Sequence, residues 1–160
     1  MPPSIASMPD ACTLEYVRVR TRDAWEQCCS IRHRVFVDEQ KVPLELEWDD
    51  YDVVAEHRLL LLGDRAVGTG RWRWIDIGVA KLERFALLAE HRGHGYGRRL
   101  VGAVVDEVIA TGARRLELSA QAHLRAFYEG FGFYVCGEGF DEAQIPHLPM
   151  ARDLGADAKA

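Results

Sequence analysis

The sequence predicts one α/β domain built on a mixed, mostly antiparallel sheet with flanking helices. Three observations carry that prediction. Short runs such as 57–62 and 66–74 read as strands, a long stripe of branched apolar residues over 98–111 has helical spacing, and strands and helices alternate along the chain. A chain of 160 residues, 48% hydrophobic and 28% charged, has the size and composition of a single globular unit.

The elements follow in order. Residues 1–12, with Pro2, Pro3 and Ser4, are expected to form a loose tail before a domain over 13–154. Leu14, Tyr16, Val17 and Val19 mark a first strand. Thr21 or Asp23 can cap a helix carrying Trp25, Cys28, Cys29, Arg32, Val35 and Phe36. Pro43 and a run of acids make 39–53 an irregular loop. Strands over 57–62 and 66–74, joined by the Gly63-Asp64-Arg65 turn, form a hairpin, and 81–88 is the next strand. Leu100, Val101, Val104, Val105, Val108 and Ile109 form the stripe of a helix over 98–111, which Gly112 ends. A strand over 116–120, a short helix over 124–130 and strands over 133–136 and 147–152 complete the chain.

Composition narrows the function. A formal net charge of -5 argues against a nucleic-acid partner, since phosphate backbones reward a basic surface. No apolar run approaches the roughly 18 residues of a membrane-spanning helix. The N-terminus lacks the basic start and apolar stretch of a signal peptide. None of Cys12, Cys28, Cys29 and Cys136 lies in a CxxC pair, so no zinc or other metal site is expected; the cysteines read as free thiols in a reducing cytoplasm.

The junction between the 81–88 strand and the 98–111 helix carries the chemistry. Gly93, Gly95 and Gly97 let the backbone turn sharply and come close to a ligand. The free N–H groups of the helix start, with about half a positive charge from its dipole, form an anion site. Arg92, Arg98 and Arg99 add positive charge, so a pyrophosphate is the natural guest, although glycines in this pattern can also merely shape a turn. A dinucleotide fingerprint would need GxGxxG after the first strand, and a kinase-type P-loop would need a Lys-Ser/Thr ending. Both are absent here.

Arg92-Gly93-His94-Gly95-Tyr96-Gly97 resembles the Arg/Gln-x-x-Gly-x-Gly/Ala signature of the GNAT acetyltransferase superfamily. Tyr128-Glu129-Gly130-Phe131-Gly132-Phe133 resembles that family's Tyr-x-x-x-Gly-Phe element, in the same order. Arg34-Val35-Phe36-Val37-Asp38-Glu39-Gln40, the acidic loop ending near Asp52, His57, Gly68-Thr69-Gly70-Arg71, Ala120-Gln121, Ile145-Pro146-His147 and Met150 are similar to the ElaA/YjcF-like branch. The resemblance covers nearly the whole domain.

It implies a GNAT fold whose central strands splay to admit pantetheine, and acetyl-CoA as co-substrate. Phe85, Ala86 and Leu87 match the strand that pairs with pantetheine. Arg92, Gly93, His94, Gly95, Tyr96, Gly97 and Arg98 match the pyrophosphate loop. Gln121 stands where many members carry Asn, and Tyr128 matches the tyrosine that protonates the leaving thiolate. Dimers are common in the superfamily, so a homodimer is an open expectation.

The implied chemistry needs such groups. An alkyl ammonium with pKa ~10.4 is neutral in only about one molecule in a few thousand at pH 7, so deprotonation costs roughly 4–5 kcal/mol. A general base or water chain offsets this, backbone N–H groups polarise the thioester oxygen, and a phenol protonates the sulfur. Glu83 is the candidate base, because even spacing would put it on one strand face with Phe85 and Leu87; alternatively it pairs with an arginine such as Arg84 or Arg71. Tyr128 is either the acid or an ordinary core tyrosine. The acids of 38–52 form either a lip that attracts a cationic amine or a plain solvated loop. His147 resembles a position near the acceptor pocket and can equally be structural, whereas His57 reads as structural. Trp72 and Trp74 read as packing on one strand face.

The expected function is therefore transfer of an acetyl or short acyl group to a primary amine of a small molecule or peptide. The alternative is a CoA-binding sensor or scaffold without turnover.

Overall fold

The computed structural model describes residues 13–155, so the tail expected over 1–12 lies outside the described residues. The chain runs β1 (Leu14–Arg18), α1 (Arg22–Arg32), a π-helical segment (His33–Glu39), α2 (Leu44–Glu47) and a 3-10 turn (Asp50–Val53). Then come β2 (Glu56–Leu62), β3 (Arg65–Asp76), β4 (Val79–Leu87) and α3 (Tyr96–Ala110). The end of the chain is β5 (Arg115–Gln121), α4 (Arg125–Glu129), β6 (Tyr134–Val135), β7 (Phe140–Glu142) and β8 (Ile145–Asp153). The strands form one sheet in the order β1-β2-β3-β4-β5-β8-β6, with β7 paired to β8. β4 and β5 run parallel, and the other pairs are antiparallel.

The two helices that cover the sheet follow their apolar stripes. Leu100, Val101, Val104, Val105 and Val108 of α3 pack on one face against Leu60, Val67, Trp72, Ala80 and Leu82. Cys28 and Ile31 of α1, with Val35, pack on the other against Leu59, Ala86 and Leu88. Full burial of each such branched side chain contributes about 1.5–3 kcal/mol. Thr21 caps α1 by accepting the Ala24 N–H at 3.1 Å. Gly112 ends α3 at φ +89, a conformation glycine adopts without a Cβ clash.

Three departures from the sequence-based expectation matter for the site. The first helix does not run through Phe36 as an α-helix. It ends at Arg32 and widens, so that the Gln40 N–H reaches the Val35 carbonyl at 3.1 Å. The wider turn keeps Val35 in the core, while Glu39 reaches Arg92 and Gln40 reaches Gln121. The 39–53 stretch is folded rather than irregular. Asp49 and Asp52 form a capping box on the 3-10 turn, and Glu47 is buried at the end of α2. Finally, β7 is an exposed polar strand whose pattern gives no alternation to read.

Candidate active site

A cleft opens where β4 and β5 part. They pair only at Val79↔Arg115, Ala80↔Leu116 and Lys81↔Glu117. Beyond this point each turns to its other neighbour, β4 to β3 and β5 to β8. The result is a pocket of about 310 Å³ lined by Phe85 and Glu83 on β4, Ser119 and Gln121 on β5, and Tyr128 on α4. His147 of β8 and Gln40 after the π-helical segment close it. On the side of β5, the backbone at Phe85, Ala86 and Leu87 has no strand partner among the described residues and can pair with an extended ligand.

β4 carries a bulge at Arg84, whose φ is 57. Two residues, Arg84 and Phe85, stand against Gly70, because Arg71 pairs with Glu83 and Thr69 with Ala86. The Phe85 ring lies on Gly70, where an added Cβ would come within 2.7 Å of it. The bulge corrects the even-spacing argument. Leu82, Phe85 and Leu87 face α3, whereas Ala86 and Leu88 face α1. Glu83 therefore stands on the α1 side, with Arg71, and not on the face of Phe85 and Leu87.

The glycine loop follows β4, and Arg92 at its start reaches back to the end of that strand at Leu87. Gly93 and Gly95 have φ of +84 and +80, which favour glycine. Gly97 lies inside α3 with nothing within 4 Å of where a Cβ would stand. Neither its helical backbone nor a neighbouring side chain requires glycine there, so the open space fits a group brought close from outside the chain. Gly95 caps α3 without a side-chain bond, and no acid occupies the first turn, leaving the N–H groups of that turn free for an anion. Arg98 and Arg99 are exposed beside it. The Arg92 guanidinium folds back onto the Leu87 carbonyl at 2.8 Å and onto Glu39 at 2.7 Å. These features fit a pyrophosphate on the backbone of 93–97 and an extended pantetheine along β4.

Tyr128 is 7% exposed and lines the pocket floor beside Phe85. Burial pushes its phenol above the ordinary tyrosine range, with no charge or hydrogen bond contributing. The hydroxyl therefore keeps its proton at neutral pH and can donate it. Glu83 is differently placed. It accepts from Arg71 at 2.9 Å and from Arg73 at 3.0 and 3.1 Å, with Lys81 Nζ at 3.7 Å. Burial works to raise its carboxyl, but these cations overcome it and hold Glu83 below the usual carboxylate range.

The Arg71 partner that the sequence offered as the alternative for Glu83 is present, but sequence reasoning missed the rest of the network around it. Arg32 donates to Glu47 and to Asp52 at 2.6 Å, and Arg71 to Asp52 at 2.6 Å and Asp49 at 2.8 Å. Arg84 approaches Glu47 at 3.2 Å. The acids of this loop are thus matched by arginines inside the protein and form no free anionic lip at Glu47, Asp49 or Asp52. The one available signal was Arg32, which takes an inward position in the apolar stripe of α1. His57 is structural, its Nε2 2.8 Å from the Asp52 carbonyl. Trp72 is buried and bonds Glu107, with Trp74 against it at 5.5 Å. Gln121 donates to Gln40 at 2.9 Å across the cleft.

The family model for "Acetyltransferase (GNAT) domain" matches residues 48–154. The chain belongs to the GNAT acetyltransferase family. It is 40% identical over 124 residues to the uncharacterized N-acetyltransferase YjcF of Bacillus subtilis (strain 168), covering 77% of this chain and 88% of that one. It is 30% identical over 128 residues to protein ElaA of Escherichia coli (strain K12), covering 78% and 84%. The crystal structure of Escherichia coli ElaA superposes with a TM-score of 0.81 at 26% identity, covering 88% of this chain and 100% of that one. A Bacillus subtilis acetyltransferase solved in complex with CoA shares the fold, with a TM-score of 0.69 at 16% identity over 89% and 99% of the two chains.

Proposed function

We propose that this GNAT protein transfers an acetyl or short acyl group from acetyl-CoA to the primary amine of a small molecule or peptide. The observation that carries the reading is Tyr128, a buried proton donor lining the cleft between β4 and β5. A ligand anchored by its pyrophosphate on 93–97 and extended along Phe85, Ala86 and Leu87 delivers its thioester toward that phenol. Free N–H groups of β4 polarise the thioester carbonyl, and Tyr128 returns a proton to the departing sulfur. Gln121, tied to Gln40, borders the pantetheine path. Glu83 serves to hold Arg71 and Arg73 beside the pocket.

The test has two arms. CoA at 100 times its Kd should stabilise the fold by about 2.7 kcal/mol, seen as a rise in Tm that ATP and NAD do not reproduce. A panel of primary amines with acetyl-CoA should release free CoA above the rate without amine. A rise in Tm without turnover on any amine would leave a CoA-binding module that senses or scaffolds.

A further inference from the structure

His147 lines the same cavity as Tyr128, and neither the glycine loop nor Tyr128 explains its geometry. Its side chain is 11% exposed and its ring stacks on Phe140, with centroids 5.7 Å apart and planes at 18°. Nδ1 lies 2.6 Å from the Ile145 carbonyl. A carbonyl only accepts, so Nδ1 carries the hydrogen, and the neutral ring has its lone pair on Nε2. The nearest ion-pairing group to Nε2 is the Glu142 carboxylate, at 3.9 Å, too far for a hydrogen bond. Glu142 is 59% exposed. Both residues line the same pocket as Tyr128. The β7–β8 turn holds them there, with Ala143 and Gln144 at φ 48 and 65, the twist that a two-residue hairpin requires.

We propose that Glu142 and His147 form the acceptor subsite: Glu142 attracts the substrate's ammonium group, and His147 Nε2 removes its proton. The proposal rests on the acyltransferase reading and names the base within it. The alternative, Glu83, is already hydrogen-bonded to Arg71 and Arg73, which makes it a weak base. The lone pair on His147 Nε2, by contrast, is free to accept a proton. Among the described residues, the other charged groups lining the pocket are Glu47, Lys81, Glu83 and Arg84. Glu47 is paired with Arg32 and Arg84, and Glu83 with Arg71, Arg73 and Lys81, which leaves Glu142 as the pocket carboxylate facing the imidazole.

One ammonium proton passes to Nε2, giving imidazolium and a neutral amine. The amine lone pair forms the N–C bond to the thioester carbonyl. The C–S bond then breaks, and its electron pair leaves with sulfur. Tyr128 gives its proton to the thiolate, and the phenolate recovers one from the nitrogen of the new amide. Imidazolium releases the first proton to solvent.

Two measurements decide it. With histidine labelled by 15N, NMR of the full chain should show His147 as the Nδ1–H tautomer at high pH. Its Nε2 resonance should shift on adding n-propylammonium, and less so in Glu142→Gln. A protonated Nε2 in the neutral ring, or no shift with the amine, overturns the proposal, even where no acceptor turns over. With an amine that the wild type acylates, His147→Ala should lower kcat about 10²-fold or more and remove the acidic limb of the kcat/KM profile. CoA affinity should be unchanged, and added imidazole should restore part of the rate. Glu142→Gln should raise the amine KM by a larger factor than it lowers kcat. A His147→Ala profile that keeps the wild-type limb refutes the base assignment, whereas a wild type inert toward every amine refutes the acyltransferase reading itself.

Discussion

Tyr128 offers a clean residue-scale experiment because burial alone raises its phenol, so no partner is orphaned when the oxygen is removed. Tyr128→Phe should lower kcat about 10²-fold in a CoA-release assay while the Kd for CoA, read by calorimetry, stays within about twofold. An unchanged kcat would reduce Tyr128 to a core ring beside Phe85 and Phe133. Glu83 calls for the opposite expectation. Glu83→Gln removes the charge that Arg71 and Arg73 face, so it should lower Tm, at a cost of about 1–3 kcal/mol, more clearly than it lowers kcat at pH 8. A hundredfold fall in kcat with Tm unchanged would restore Glu83 as the base.

At the scale of elements, the start of α3 separates folding from binding. Gly97 is helical and no atom of the described residues fills the place of its Cβ, so Gly97→Ala should stabilise the free protein, by up to about 0.5–1 kcal/mol. The same methyl group projects toward the proposed pyrophosphate, so CoA affinity should weaken by about tenfold or more. Thermal melts with and without CoA read both effects, and a variant that binds CoA as tightly as the wild type would move the pyrophosphate elsewhere. The loop was legible in the sequence because three glycines and a valine stripe are local signals. The strands and α3 were legible for the same reason, since their periods of 2 and 3.6 are written in neighbouring residues. The bulge at Arg84 was not, because no glycine marks it on its own strand. Its cause lies on β3, where Gly70 lets the Phe85 ring lie flat, and a glycine inside a strand was the one cue available. The π-helical segment and α2 escaped because contacts with Arg92, Gln121 and Arg32, distant in sequence, hold them.

Across the whole molecule, buried arginines join what the sequence keeps apart. Arg32 on α1 and Arg71 on β3, each 1% exposed, both bind Asp52, and through Asp49, Glu47 and Glu83 they link α1, the 44–53 segment, β3 and β4 into one wall of the cleft. Removing one arginine leaves uncompensated buried carboxylates, so Arg71→Leu should cost about 3–5 kcal/mol in a urea melt; a loss under 1 kcal/mol would mean that water reaches the network. The same wall dictates the response to acid. Burial favours protonation of Asp49, Asp52 and Glu83, but the arginines overcome it and hold all three below the ordinary carboxylate range. An unfolded carboxyl titrates near ~4, so across this window the unfolded chain binds more protons, and the stability these groups contribute is lost as pH falls through their depressed values. His57 acts earlier. Burial pushes its imidazole below the ordinary value, and Nδ1 has no hydrogen-bond partner among the described residues. Unfolded histidine binds its proton near ~6.5, so the stability due to neutral His57 is full above that pH and declines as pH drops toward the folded value. Tm should therefore decline gently below about pH 6.5 and steeply below about pH 4. His57→Gln, whose amide can still donate to the Asp52 carbonyl, should remove the gentle slope and keep the steep one. A wild-type Tm that stays level from pH 7 down to 5 would show that His57 is as readily protonated folded as unfolded.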